Sequence, residues 1–368
     1  MTTRRGWCPS LYDPMQTGDG LLVRVKPPGA RLSSRAARAL ADAAAQRGNG
    51  IIELTRRGNL QVRGLRPDGV APFAAAMVAA GLAGPDPARE RRRIVMAPAL
   101  SGDDPSALAD GLAERLDAAL PAMPSKFSIA VNAGGILSAL PLHADIVLST
   151  GTTLDEAMHR CSLSLRERAG VRESVGTGQP GQGQPGSRAT TRSPQDPLTP
   201  TRSRRDRRPA QPSIAGFHPY PGTAYGALAL ALPLGQIDSL VLHALAALAD
   251  RFSAASIRTS PWRAFFLGRV QTADLPAASR AAEAAGFATD PADPRLHVTS
   301  CIGAPGCASA TVPARQDAAR LAQEGRGPLH VSGCAKGCAF PGGVPALVGA
   351  AGRYTLMPDW QPGLDPAP

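Results

Sequence analysis

Residues 20–62 read GLLVRVKPPGARLSSRAARALADAAAQRGNGIIELTRRGNLQV, and the spacing of apolar residues in this stretch decides the fold. Short apolar runs predict strands, and the alanine-rich segment between them predicts a helix. With the residues that follow, the stretch predicts the order β-α-β-β-α over Gly20–Val25, Ser33–Arg47, Gly50–Leu54, Leu60–Val62 and Val70–Ala80. A glycine directly after the last helix, Gly81, is a typical helix terminator.

The same order returns about 205 residues later in the chain. The second set of predicted elements is Ala227–Leu232, Ile237–Arg251, Ala255–Thr259, Phe265–Val270 and Leu275–Ala285. A constant offset through five elements indicates a duplication. We expect an α+β fold in which the two units are related by a pseudo-twofold axis and pair into one continuous layer.

Four cysteines near the C-terminus form two short motifs. Cys301 and Cys307 lie in CIGAPGC, and Cys334 and Cys338 lie in SGCAKGC. Thiolates select iron–sulfur clusters or zinc, and a [4Fe–4S] cluster takes four of them. Zinc knuckles space their cysteines by two to four residues, so the five-residue gap favours the cluster, with zinc and unrelated thiols as alternatives. Gly333 and Gly337 let the backbone approach the metal closely, and Lys336 is either a counter-charge or a solvated side chain.

The segments after the two units also correspond. RRRIVMAPAL and LPAMPSKFSIAV follow the first, whereas PRLHVTSCIGAPGC and GPLHVSGCAKGC follow the second. Where the second copy has its cysteines, the first has the basic residues Arg93 and Lys126. This predicts that one half binds a redox cluster and the other an anionic organic partner.

The net charge of +11 is concentrated in one stretch. Residues 161–212 contain ten Arg and four acidic residues among Gly, Pro, Gln, Ser and Thr. This composition is typical of a disordered insertion and includes no nucleic-acid-binding module. No apolar run is long enough to span a membrane and the N-terminal residues contain no signal peptide, so we expect a cytoplasmic protein with reduced thiols. Cys8 and Cys161 are then ordinary packing residues.

A twofold-repeated fold with C-x5-C and C-x3-C motifs in its second half resembles the sulfite and nitrite reductase haemoproteins. More narrowly, GWCPSLYDPMQTGDGLLVRV and HVSGCAKGCAFPG resemble the precorrin-3B synthases, over Gly6 to about Ser149 and Gly216 to about Leu356. The resemblance implies a duplicated reductase-like fold with five parts. They are a ferredoxin-like half-domain (1–85), a reductase-like domain that looks incomplete (86–160), the insertion (161–212), a second half-domain (213–290) and a second reductase-like domain carrying the cluster ligands (291–368).

In the reductases, basic side chains hold the carboxylates of a tetrapyrrole. The resemblance implies that matching residues of this sequence have the same role. Arg57, in ELTRRGNLQ, matches the arginine of an L-T-x-R-x-x-x-Q stretch. Arg93 matches the basic residue that opens the next domain, and Lys126 matches the first lysine of a K-F-K element. Ser128 replaces the second lysine, which weakens the case for sirohaem.

The activity implied by the resemblance is a monooxygenase reaction that converts precorrin-3A to precorrin-3B with O2 and NADH-derived electrons. No G-x-G-x-x-G fingerprint follows a strand, so a reductase partner would pass on these electrons. The resemblance further implies, as an option, a mononuclear non-haem iron, usually held by two His and a carboxylate. His143 and Asp145 form a weak candidate pair, and His243 is expected to pack within a helix.

Two alternatives remain open at this point. One is a sirohaem-dependent sulfite or nitrite reductase. The other is an inactive family member or a metal-stabilised binding module, because family members carry more ordered chain after the strand of LPLHADIVL than TGTTLDEAMHRC provides. Such a loss would leave one face of a sheet uncovered.

Overall fold

The computed structural model describes residues 9–92, 95–96, 115–116, 119, 127–132, 144–149, 152–168 and 214–363. Cys8, Arg93, Lys126, His143 and residues 169–212 of the insertion lie outside this part of the chain. No helix in the described ranges is long and apolar enough to cross a membrane.

The first repeat contains all five elements predicted from the sequence and two additional short strands. Its elements are β1 (Met15–Thr17), β2 (Gly20–Val25), β3 (Arg31–Ser33), α1 (Ser34–Arg47), β4 (Ile51–Leu54), β5 (Leu60–Leu65) and α2 (Val70–Ala79). The short strands β1 and β3 were not predicted, because three residues are too few to show a period of two.

A smaller parallel sheet follows the first repeat. Its region contains α3 (Pro87–Arg92), β6 (Val95–Met96), β7 (Ile129–Asn132), β8 (Ile146–Ser149) and α4 (Leu154–Arg168). The strands lie in the order β6-β7-β8. Helix α4 packs on this sheet through Ala157 and Cys161, which are buried with Phe127 and Leu148.

One expectation about this region is corrected by α4. The insertion was expected to begin at residue 161, but the helix continues to Arg168. The physical reason is an apolar stripe at helical spacing within an otherwise polar segment. Helix α4 covers one face of the sheet, and Val147 of β8 is 44% exposed. Cys161 is the ordinary packing residue expected, and burial raises the pKa of its thiol to about 11.

The second repeat and the cysteine-bearing sheet complete the described chain. The repeat contains β9 (Gly216–Pro219), β10 (Tyr225–Ala231), β11 (Gln236–Asp238), α5 (Ser239–Phe252), β12 (Ser256–Thr259), β13 (Ala264–Gln271) and α6 (Leu275–Ala284). After it come β14 (Val298–Ser300), α7 (Ala314–Gln323), β15 (Leu329–Ser332), β16 (Ala346–Ala350) and β17 (Arg353–Met357). The sheet order is β14-β15-β16-β17, with only β17 antiparallel to its neighbour.

The two long helices begin at equivalent residues for the same reason. The Ser33 side chain accepts a hydrogen bond from the N–H of Ala36 at the start of α1. The Asp238 side chain, 205 residues later, accepts one from Val241 at the start of α5. Each side chain satisfies a backbone donor that the first helical turn leaves unpaired.

The two repeats exchange a strand. The sheet orders are β1-β2-β5-β4-β11 and β3-β12-β13-β10-β9, so β11 joins the first sheet and β3 joins the second. Ile237 of β11 lies opposite Ile52, and Leu32 of β3 lies opposite Ile257. The expectation of one continuous layer is therefore wrong. Two antiparallel sheets are joined instead by reciprocal edge strands and by one core that includes Leu40, Phe73, Leu245 and Phe287.

We predict that the exchange makes the two repeats unfold together. Leu32 is 2% exposed, and Leu32→Ala should reduce the free energy of unfolding by about 2–5 kcal/mol because it leaves a cavity between β3 and β12. The measurement is urea unfolding followed by far-UV circular dichroism. Leu240→Ala is the matched control, since this leucine is 76% exposed and its loss should change stability by less than about 0.5 kcal/mol. Separate transitions for the two repeats would contradict the prediction.

Candidate metal and tetrapyrrole site

The four cysteines are placed by two neighbouring parallel strands. Cys301 follows β14 directly, and Cys334 lies two residues after β15. The strands are in register, with Ser300 opposite Val331. Parallel strands end at the same edge of a sheet, so the loops that carry the cysteines emerge side by side.

The cysteine loops contact each other directly. The backbone N–H of Gly333 donates a hydrogen bond to Sγ of Cys301 over 3.1 Å. A Cβ on Gly333 would lie 2.6 Å from Cβ of Ala310, so only glycine allows this approach. Lys336 donates from Nζ to Oγ of Ser309 over 2.6 Å and thereby ties the second loop to the first. The Lys336 side chain is exposed and bridges the two loops.

The four sulfurs lie within electrostatic range of one another. Burial raises the pKa of the Cys334 thiol first, and the thiols of Cys307, Cys301 and Cys338 raise it further. Within the described ranges, however, no three His, Cys, Asp or Glu side chains are close enough to hold a single metal ion directly. The structure nevertheless brings the four thiols into one region of the molecule.

The first repeat supports the first cysteine loop. Nη2 of Arg63, on β5, donates to the carbonyl oxygen of Gly306 over 2.9 Å. The N–H of Gly18 donates to the same oxygen over 3.2 Å. A Cβ on Gly18 would lie 2.1 Å from the carbonyl oxygen of Pro305, so the two backbones are in close contact. The residue before Cys307 is thus fixed by groups about 240–290 positions earlier in the chain.

Arg63 is itself held by two carboxylates. Its Nε and Nη2 donate to Asp19 over 3.0 and 2.9 Å, and its Nη1 lies 3.6 Å from Glu53. Burial alone would raise the pKa of Asp19, but hydrogen bonds from Arg63 and Thr17 lower it overall. Arg63 is only 4% exposed, so this pairing compensates a buried charge.

Glu53 connects this network to α7, the helix of the cysteine-bearing region. Its carboxylate pairs with Arg315 of α7 over 3.0 Å and accepts a hydrogen bond from Nε2 of Gln61 over 3.1 Å. Arg315 also donates to Oε1 of Gln236 on the exchanged strand β11, over 2.8 Å. Burial lowers the pKa of Arg315, and nearby Cys301 opposes that shift. Cationic groups of the first repeat and of α7 therefore lie beside the cysteine loops.

Comparison with known proteins identifies the family. The model for the nitrite/sulfite reductase ferredoxin-like half-domain matches twice, at residues 13–80 and 218–285, again 205 residues apart. A protein of Sinorhizobium sp. named precorrin-3B synthase is 35% identical over 396 aligned positions, covering 96% of this chain and 83% of its own length. The chain belongs to the precorrin-3B synthase family.

Solved structures agree with the fold of this family. The NirA protein of Mycobacterium tuberculosis superimposes with a TM-score of 0.61 at 16% identity, over 91% of this chain and 73% of its own. A dissimilatory sulfite reductase, DsrI, covers 35% of this chain with a TM-score of 0.27, from which we draw no argument. The predicted α+β fold with duplicated half-domains is confirmed.

Of the three basic residues carried over from the reductases, Arg57 lies in the described ranges. It is partly buried in the turn between β4 and β5, where its N–H donates to Oγ1 of Thr55. The roles of Arg57, Arg93 and Lys126 remain predictions. Ser128, which replaces the second lysine, is buried and donates from N and Oγ to Oδ2 of Asp145 over 2.7 and 3.2 Å.

The histidines of the described ranges do not form an iron site with a carboxylate. Asp145 is already engaged by Ser128, and His159 is exposed on α4. His243 was expected to pack within a helix, but it is half-exposed and lies 2.8 Å from Asp42 of α1. Among the described His, Cys, Asp and Glu residues, none form a group of three that could bind iron directly.

Sequence reasoning missed three residues beside the cysteine loops, Glu53, Arg63 and Arg315. A signal existed for Arg63, because a charged residue in the mostly apolar LQVRGL strand is unusual. Arg315 reaches this place because α7 lies next to the exchanged strand β11, where Arg315 bonds to Gln236.

We predict that Arg63→Gln destabilises the protein by about 3–5 kcal/mol at neutral pH, because it leaves Asp19 without its partner. The lowered pKa of Asp19 means that its stabilising contribution is present above the unfolded-state pKa and is lost as pH falls. The difference from wild type should therefore shrink below about pH 4. Urea unfolding across pH measures this.

The matched control is Arg66→Gln, whose side chain is 74% exposed and pairs with Asp68. It should change stability by less than about 0.5 kcal/mol. Amide exchange should also accelerate at Gly306–Ser309 in Arg63→Gln alone. Equal effects of the two variants, or a difference that does not depend on pH, would contradict the role assigned to Arg63.

Proposed function

We propose that this chain is a monooxygenase that converts precorrin-3A to precorrin-3B. One atom of O2 becomes a hydroxyl group on the macrocycle and the other leaves as water. A ring-A acetate closes as a γ-lactone, and two electrons from NADH reach the protein through a reductase partner. The observation that carries this proposal is the convergence of four cysteines with a buried cationic network, in a chain 35% identical to a precorrin-3B synthase.

Cys301, Cys307, Cys334 and Cys338 would hold a [4Fe–4S] cluster. The donor set suits it, because four thiolates saturate such a cluster. When bound, the cluster would supply one-electron transfer. Around it, the Gly333 N–H would stabilise charge on the Cys301 sulfur, and Arg63 would hold Gly306 and with it the position of Cys307.

The cationic residues would bind the carboxylates of the macrocycle. Arg57 supplies a planar guanidinium suited to a bidentate carboxylate contact, and Arg93 and Lys126 would add charge from the neighbouring domain. Ser128, which replaces the second lysine, donates to Asp145 and supplies no positive charge for a carboxylate at this position. A mononuclear iron remains an option whose ligands we do not assign.

The test is anaerobic purification followed by absorption and low-temperature EPR spectra after reduction with dithionite. We expect broad absorption near ~400 nm and a reduced-cluster signal, without sirohaem bands. Precorrin-3A, O2 and reductant should then yield precorrin-3B. Strong sirohaem bands would instead select a sulfite or nitrite reductase, and protein without iron would overturn both readings in favour of a binding module.

Substitution of the cysteines provides the control. Serine at any one of the four cluster positions should abolish the EPR signal and reduce bound iron, because a neutral hydroxyl is a poor ligand for iron in such a cluster. Cys161→Ala should retain full iron content, since Cys161 is buried in a different core. Loss of iron in Cys161→Ala, or retention in all four serine variants, would contradict the assignment of ligands.

A further inference from the structure

Arg263 occupies a turn where the two repeats differ. It lies between β12 and β13 with a positive φ of 56°. The residue 205 positions earlier, in the equivalent turn between β4 and β5, is Gly58 with φ 69°. Glycine adopts this conformation without strain, whereas an arginine adopts it at a cost. The two turns touch, since a Cβ on Gly58 would lie 3.4 Å from Oγ1 of Thr259.

A second departure from the repeat makes room for the Arg263 side chain. Gly235 precedes β11, and a Cβ there would lie 2.7 Å from Cδ and 3.0 Å from Nε of Arg263. The equivalent residue in the first repeat is Ala30, which adopts φ 56° with its methyl group in place. Glycine at 235 is therefore needed for the space that the guanidinium uses, and not for the turn conformation alone.

The Arg263 guanidinium has no hydrogen bond or ion pair with any described residue. Burial, together with the positive charges of Arg56 and Arg315, lowers its pKa to about 10. The carboxylate of Glu53 opposes this shift but already pairs with Arg63 and Arg315. Arg263 is partly buried, and a cation close to other cations in such a place is stabilised when an anion joins it.

His330 lies next to this cation cluster. It is fully buried on β15, and its Nδ1 is 2.9 Å from Oγ1 of Thr299. Its Nε2 has no hydrogen-bond partner among the described residues. Burial, together with the positive charges of Arg263 and Arg56, lowers its pKa to about 3. The imidazole is therefore neutral, and Nε2 can form one hydrogen bond with a ligand.

We propose that Arg263, with Arg56 and His330 beside it, forms a carboxylate-binding subsite that the second repeat contributes to the tetrapyrrole pocket. The proposal rests on the proposed function, because that function supplies a polycarboxylate ligand. The first repeat would bind one edge of the macrocycle through Arg57, and Arg263 would bind a carboxylate arm from the other side. The planar guanidinium suits a carboxylate, with two parallel N–H···O bonds.

The test is anaerobic equilibrium binding of precorrin-3A to the purified full-length protein. Arg263→Gln should weaken binding by about 10- to 100-fold, as expected when a charge-assisted hydrogen bond is lost. Arg263→Lys should recover part of the affinity. Gly235→Ala should also weaken binding, because its methyl group displaces the guanidinium. Unlike a structural arginine, Arg263 has no partner to lose, so the Tm of Arg263→Gln should equal or exceed that of wild type.

The matched control is Arg269→Gln. Arg269 lies on the following strand, β13, with φ 55°, but it is exposed and its guanidinium lies over the Tyr225 ring. Its substitution should leave binding unchanged.

Unchanged binding in Arg263→Gln, or a fall in Tm with the loss of binding, would overturn the subsite while leaving the proposed function intact. Competition by inorganic sulfate at millimolar concentration would assign a small-anion site instead. Wild-type protein that does not bind precorrin-3A would overturn both proposals.

Discussion

The exchange of β3 and β11 between the two repeats is the constraint on which the rest of the structure depends. A short strand gains most of its stability from hydrogen bonds and side-chain packing with a sheet, so each repeat needs the other to bury its edge. The exchange brings the β4–β5 and β12–β13 turns into contact. It also places Gln236 opposite Glu53, where Arg315 binds both. The site is therefore built across the pseudo-twofold axis.

The two repeats contain the same order of strands and helices. They differ in the charged residues that they carry at equivalent positions. Arg63 supports the cysteine loop from the first repeat, whereas the residue 205 positions later is Gly268. Conversely, the second repeat has Arg263 where the first has Gly58. At each of these two pairs of equivalent positions, one repeat has an arginine and the other has a glycine.

The sequence predicted much of the fold, because long amphipathic segments such as Ser33–Arg47 show their period directly and the 205-residue offset repeats it. The spacing of the four cysteines in two motifs also predicted that they lie at one site. It could not predict the strand exchange, since β3 and β11 are three residues each and pairing is a property of the folded chain. Arg63, Arg263 and His330 were missed for the same reason, because their neighbours lie far away in the sequence. The roles of Arg57, Arg93 and Lys126 come from resemblance and remain predictions.

The central claim is that cluster and tetrapyrrole share one site and take part in one oxygen-dependent reaction. It is tested most directly by rapid mixing of dithionite-reduced protein, freed of excess reductant, with precorrin-3A and O2, followed by EPR of the frozen samples. The account predicts that the reduced-cluster signal disappears fastest when both precorrin-3A and O2 are present, in step with formation of hydroxylated product. A signal that decays at the same rate with O2 alone, with no product formed, would contradict it.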